Sequence, residues 1–398
     1  MLNARKSVTP LTLICLLCVA CAALQNLLFR GQDAFGLLIP DSLTLSQGMD
    51  DFLKYGLTDA GFGHGVEFLY CAAWVVHPAL SLAVNMALLC YAYKIMLAIF
   101  QDSVEDWERE RLEWLAFLGI LLNPAFFLVA SGPNKEIPCF FLTTLFVWVA
   151  LRPMDAINLG YLLLISFAAF TFRDGYGAGL FCVSLSLLTF KYRRNFVYLC
   201  ALLFGAASAC FSTLLQFSPI LQRNEQSTLN IVESGGANFI STYAFQNLDK
   251  PLVCFYMYYL RLLSNTMSLV IRAPIINAEL GLSVKGIAFW VFGVALFWTF
   301  IGGCRLIQSR EKDNFVLAFS LVIAGIVSIS LYNQPRYLMA VFPPFFVAVF
   351  MRNPFPKRAI AVGTALIVAA YVALMAARLG PPLEIVAPID TPSFLLVR

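Results

Sequence analysis

Three observations predict an all-α, polytopic transmembrane helical bundle of about 11 spans with a cytoplasmic N-terminus, outer-face loops and amphipathic helices. The first is composition: 60% of the 398 residues are hydrophobic and only 13% charged, with a mean hydropathy of +0.78, whereas soluble domains run near half apolar and a quarter charged. The second is a succession of apolar runs long enough to cross a bilayer. The third is an asymmetric placement of Lys and Arg between those runs. The whole chain, 1–398, is expected to form one polytopic membrane domain.

The first apolar run, residues 9–29, follows Arg5 and Lys6 and lacks a small-residue cleavage site before Gln25, so it reads as a signal-anchor. Further spans are expected at 78–100, 113–130, 137–151, 157–171, 176–190, 196–218, 287–304, 314–331, 337–351 and 359–377. This arrangement leaves inner loops of roughly 46 residues that carry 14 of the 27 Lys and Arg. Roughly 140 outer residues carry 12, so the basic density is about threefold higher inside, the pattern expected of cytoplasmic loops. The chain is therefore placed in the cell inner (plasma) membrane as a multi-pass protein.

Two outer segments stand apart. Residues 30–65 form the first outer loop and include an amphipathic helix, and 66–76 form a short helix leading through His77 and Pro78 into the second span. Residues 219–285 form a long outer loop containing LVCFYMYYLRLLSNTMSLVI at 252–271. That stretch is long enough to cross, but Arg261 at a bilayer centre costs about 3 kcal/mol on insertion scales. A crossing there would also carry Arg305, Arg310 and Lys312 to the outer side. It is read as an interfacial or re-entrant helix.

Several functional classes are excluded. A net charge of +4 without a basic stripe outside the membrane argues against nucleic acid. All eleven cysteines fall in apolar runs and read as small hydrophobes, including Cys15, Cys18 and Cys21, which have knuckle spacing but no His or carboxylate beside them. With two histidines in the chain, His64 and His77, no metal site is expected. No cofactor is expected either, and no phosphate loop of the G-x-x-x-x-G-K type is present for a nucleotide donor.

The remaining polar clusters converge on the outer face. They are the aspartates of the first loop (Asp33, Asp41, Asp50, Asp51 and Asp59), the turn SGPNKE with Asn134, Lys135 and Glu136, the turn FRDGYG with Arg173 and Asp174, and YNQPRY with Asn333, Gln334, Arg336 and Tyr337. Each has a structural alternative. Asp41 and Asn134 suit helix N-caps, Glu136 suits a first helical turn, Arg173 and Asp174 suit a surface pair beside Gly175 and Gly177, and Arg336 suits a snorkelling position. Together, an outer carboxylate among cations suits glycosyl transfer from a lipid-linked phosphate. A base takes the acceptor proton while cations stabilise the departing phosphate.

An early aspartate in the first outer loop, spans of uneven length and a late PRYLMAVFPP resemble the GT-C integral-membrane glycosyltransferases and related polysaccharide polymerases. The resemblance implies Asp41 as catalytic base. It implies Lys135, Arg173 and Arg336 as phosphate ligands, with Asn134, Glu136, Asp174 and Tyr337 completing the substrate site. The implied partners are a polyprenyl-phosphate-linked sugar donor, a glycan, lipid or protein acceptor, and membrane lipids. Two alternatives stay open: an O-antigen or exopolysaccharide-type polymerase using a polyprenyl-pyrophosphate glycan, and a secondary transporter or flippase of lipid-linked sugars. A non-catalytic assembly protein is the third.

Overall fold

The computed structural model describes residues 9–28, 48–49, 51–54, 64–77, 79–101, 105, 108–190, 194–218, 221–222, 225–226, 228–230, 239–272, 276–277, 281–282, 284–307, 314–329, 338–352 and 355–378. These are helical almost throughout. A two-residue antiparallel pairing, Ile276 with Leu282 and Asn277 with Gly281, is the strand structure among them. The chain divides into two units. Unit 1 comprises Met1–Tyr192, Glu311–Ser320 and Tyr337–Met351, and unit 2 comprises Arg193–Arg310, Leu321–Arg336 and Arg352–Arg398.

Unit 1 is built from α1 (Pro10–Leu28), α2 (Gly65–Val76), α3 (Leu80–Gln101), α4 (Arg109–Leu121), α5 (Pro124–Leu128), α6 (Glu136–Ala150), α7 (Ala156–Phe172) and α8 (Asp174–Phe190). Its helix α3 packs against α1, α2, α4 and α6, while α6, α7 and α8 form consecutive neighbours. The run expected as one span at 113–130 is divided into α4 and α5. Pro124 excludes the helical conformation at the preceding residue, and Asn123 is extended, with φ −94° and ψ 95°. The helix α7 starts where Asp155 Oδ1 accepts from the Asn158 amide at 2.7 Å. It ends at Arg173, which is extended, and α8 begins at the next residue. That tight reversal needs Gly177, whose added Cβ would stand 2.2 Å from the Phe170 amide nitrogen.

Unit 2 contains α9 (Arg194–Ala209), α10 (Phe211–Leu215), α11 (Phe239–Gln246), α12 (Pro251–Arg272) and α13 (Val284–Leu306), with α16 (Lys357–Arg378). Here α12 packs against α9, α11, α13 and α16. The run expected at 196–218 is divided at Cys210, and the long outer loop expected over 219–285 carries α11 ahead of α12. Helix α14 (Asn314–Val327) contributes its first half to unit 1 and its second to unit 2, and α15 (Phe342–Phe350) closes unit 1. Prolines 343 and 344 open α15, in the first turn where their missing N–H groups cost nothing.

Among the described residues two helices, Leu80–Gln101 and Ile287–Leu306, are long and apolar enough to cross a membrane. Others are shorter: 15 residues in α6 and 17 in α7, about 22 to 26 Å at 1.5 Å per residue. Their exposure is inverted relative to a water-soluble bundle. Ile157, Tyr161, Leu164 and Phe167 form one exposed stripe on α7, while Ser166 is buried and bonds to Ser184 of α8 at 3.3 Å. In α12, Leu252, Tyr256, Leu260 and Leu263 are exposed and Arg261 and Asn265 are buried. Apolar stripes outward with hydroxyls and amides between helices are compatible with a helical membrane protein.

Candidate functional site

One end of unit 1 is organised by buried amides. The segment 129–134 links α5 to α6 and is buried, including Ser131 and Asn134, so its backbone carbonyls have no water to bond. Asn85 of α3 supplies the missing donors: its Nδ2 donates to the carbonyls of Ala130 at 2.9 Å and Gly132 at 2.8 Å. Its Oδ1 accepts from the Tyr70 hydroxyl and from Asn134 Nδ2 at 3.0 Å. Asn134 Oδ1 in turn accepts from the Ile137 amide at 2.9 Å, capping α6. Burial pushes the Tyr70 phenol well above its usual range, which keeps it a donor. A further amide, Asn123, donates to the Met339 carbonyl at 2.9 Å and holds the turn that precedes α15.

On this frame two separate turns bring opposite charges together. Glu136 is the first residue of α6, where the helix dipole favours a carboxylate. Arg173, between α7 and α8, donates from Nη2 to Glu136 Oε1 at 2.5 Å, and both side chains are largely buried. Glu136 Oε2 accepts from the Lys135 amide at 3.2 Å. Lys135, the residue before Glu136, is half-buried and makes no ion pair among the described residues.

The sequence-predicted residues therefore divide three ways. Lys135, Glu136 and Arg173 are brought to one end of unit 1. Asn134 is there as well, with its amide engaged in the internal network, and Asp174 Oδ1 accepts from the Gly175 amide at 2.8 Å, closing the first turn of α8. The Arg173–Asp174 surface pair is replaced by Arg173 with Glu136. Asp41, Arg336 and Tyr337, with Asp33, Asp50, Asp59, Asn333 and Gln334, lie outside the described residues. Asp51 is exposed.

Sequence reasoning missed Glu67. It lies in the first turn of α2, 3.9 Å from His64 Nδ1, with its Oε2 buried and without a hydrogen bond among the described residues. Gly65 brings this turn against the end of α7, since its added Cβ would meet Thr171 Oγ1 at 2.5 Å. Glu67 is one turn before Tyr70 and belongs to the same end of unit 1 as Arg173. The available signal was a lone carboxylate in the otherwise apolar GVEFLYCAAWVV. The eleven cysteines are free thiols. Among the described residues no three His, Cys, Asp or Glu side chains gather to hold a metal. No family model, curated protein or solved structure matches the chain.

Proposed function

We propose that the chain is a multi-pass inner-membrane glycosyltransferase of the GT-C type, transferring a sugar from a polyprenyl-phosphate donor to an acceptor on the outer face. The observation that supports it is the gathering of Lys135, Glu136 and Arg173 from two turns of one bundle end, with a second carboxylate, Glu67, on the same end. In this reading Glu136 fixes the guanidinium plane of Arg173. Lys135 carries the positive charge that meets the departing phosphate. Asp41, in the first outer loop, takes the proton of the acceptor hydroxyl. Exposed apolar stripes on α7 and α12 suit a lipid surround, and the polyprenyl tail would lie along such a stripe.

The experiment is a donor titration and turnover assay on purified, reconstituted protein. Replacing Lys135 by alanine should weaken polyprenyl-phosphate binding by about tenfold to a hundredfold, the scale of one charge-assisted bond. Asp41→Asn should leave binding intact and lower turnover about a hundredfold or more. Unchanged affinity in Lys135→Ala removes the phosphate site. Near-normal turnover in Asp41→Asn returns that residue to a capping role.

A second reading, a transporter or flippase of lipid-linked sugars, is favoured by one observation. Arg261 is buried at the middle of the 22-residue helix α12, and an ionisable group inside a membrane bundle marks a substrate or ion path by default. Its burial also removes the insertion penalty that set α12 apart as interfacial, because the charge faces protein and not lipid.

A further inference from the structure

In unit 2 the polar face of α12 carries a buried cation with no carboxylate in ion-pair distance among the described residues. Arg261 is 1% exposed. Its Nε donates to the Ser328 carbonyl at 3.1 Å and its Nη2 to Ser208 Oγ at 3.0 Å, which ties α12 to α9 and to the residue that follows α14. Among the described residues no carboxylate lies within ion-pair distance of it. An isolated buried charge is strongly unfavourable in a low-dielectric interior, and a guanidinium does not escape by losing its proton. The position calls for a partner.

Three buried polar atoms here make no hydrogen bond among the described residues: Arg261 Nη1, the Tyr258 hydroxyl and Asn265 Oδ1. Residues 258, 261 and 265 are spaced by three and four on one helix and share a face. The opposite wall is also common to them. Asn265 Nδ2 donates to Ser328 Oγ at 2.9 Å, and the Tyr258 hydroxyl is 3.0 Å from where a Cβ on Gly325 would stand, one turn before Ser328. Buried polar groups in folded proteins are nearly always satisfied, so three such atoms on one helix face, one of them on a cation that meets no carboxylate among the described residues, point to a partner outside those residues.

We propose that unit 2 carries a site for a phosphate monoester, with Arg261 and Tyr258 donating to its oxyanion and Asn265 Oδ1 accepting from its remaining hydroxyl. The donor and acceptor set decides the class. A carboxylate or chloride would satisfy the two donors and leave Asn265 Oδ1 unmet, whereas a singly protonated phosphate presents both acceptors and a donor. The site is independent of the proposed glycosyl-transfer end of unit 1, and the two stand or fall separately.

The test uses full-length protein in phosphatidylcholine nanodiscs, in a Lys135→Ala background that silences the phosphate ligand proposed for unit 1. The unfolding midpoint is followed against inorganic phosphate in one arm and against phosphatidic acid in the disc in the other. A saturable rise is expected in at least one arm, and the responding arm identifies a soluble or a lipid source. Tyr258→Phe should weaken the half-saturating concentration about three- to tenfold and Arg261→Lys about ten- to a hundredfold, the scale of one neutral and one charge-assisted bond. No saturable rise in either arm, or an equal rise with acetate or chloride, overturns the site and leaves trapped water as the partner. Should Arg261→Lys fail to fold, Tyr258→Phe decides: it removes only an unbonded hydroxyl, and an unchanged phosphate affinity in that variant also overturns the proposal.

Discussion

Two buried polar clusters, one in each unit, are met in different ways. In unit 1 the buried charge of Arg173 meets Glu136, and Asn85, Asn134 and Tyr70 satisfy one another and the carbonyls of a buried turn. In unit 2, among the described residues, the buried charge of Arg261 meets no carboxylate, and Tyr258 and Asn265 keep unmet atoms. A closed network rigidifies the elements it joins. An open one stores a demand for an external partner. The difference teaches that burial alone does not say what a cation needs: Arg173 is met by a carboxylate 37 residues away in the chain, whereas Arg261 is met by neutral acceptors among the described residues.

The largest expected effect comes from opening the closed network at its charge. Removing one member of a buried ion pair leaves the other uncompensated, at a cost of about 3 to 5 kcal/mol. Glu136→Ala should therefore lower the thermal midpoint of the purified protein sharply, and the double variant Glu136→Ala, Arg173→Met should recover much of the loss, because no lone charge remains. Among the described residues of unit 2 no opposite charge is left stranded, only the neutral acceptors of Ser328 and Ser208, so Arg261→Met in phosphate-free buffer should cost less than Glu136→Ala. Equal losses for the two single variants would erase the contrast between the units.

A smaller effect is expected at the neutral hub. Asn85→Leu keeps the approximate volume and removes both donors to the carbonyls of Ala130 and Gly132. Each carbonyl left unsatisfied costs about 1 to 3 kcal/mol. The loss should localise to the α5–α6 link and be read as faster amide exchange over 129–137. Uniform destabilisation without faster exchange there would show that the turn does not depend on Asn85.

Most helix positions were legible in the apolar pattern: the runs at 9–29, 78–100, 157–171 and 176–190 became α1, α3, α7 and α8 within three residues. The breaks were less legible. Pro124 divided a run that hydropathy alone joins, since side-chain transfer energy carries no record of a lost backbone donor. The candidate site was legible in part. Lys135, Glu136 and Arg173 were read from turns because charges between apolar runs stand out. Glu67 was hidden by its apolar neighbours, and the Arg173–Glu136 pairing joins residues 37 apart in sequence, a contact that no local pattern encodes. Arg261 was visible as a charge in an apolar stretch, but its surroundings, contributed by Ser208 and Ser328, depend on three helices meeting.

The smallest expected effect is also the most discriminating, because one substitution should take opposite signs in the two units. The Tyr70 hydroxyl donates to Asn85 Oδ1, so Tyr70→Phe loses a bond with a net value of about 0.5 to 1.5 kcal/mol and should lower the unfolding midpoint slightly. The Tyr258 hydroxyl is buried without a bond among the described residues. In phosphate-free buffer, Tyr258→Phe removes a desolvated polar atom and should leave the midpoint unchanged or raise it. Adding the phosphate ligand should then reverse the order for unit 2, since wild-type Tyr258 gains a partner that phenylalanine does not provide. Parallel losses in both variants without ligand would mean that the Tyr258 hydroxyl is already satisfied, and the open network in unit 2 would be as closed as the one in unit 1.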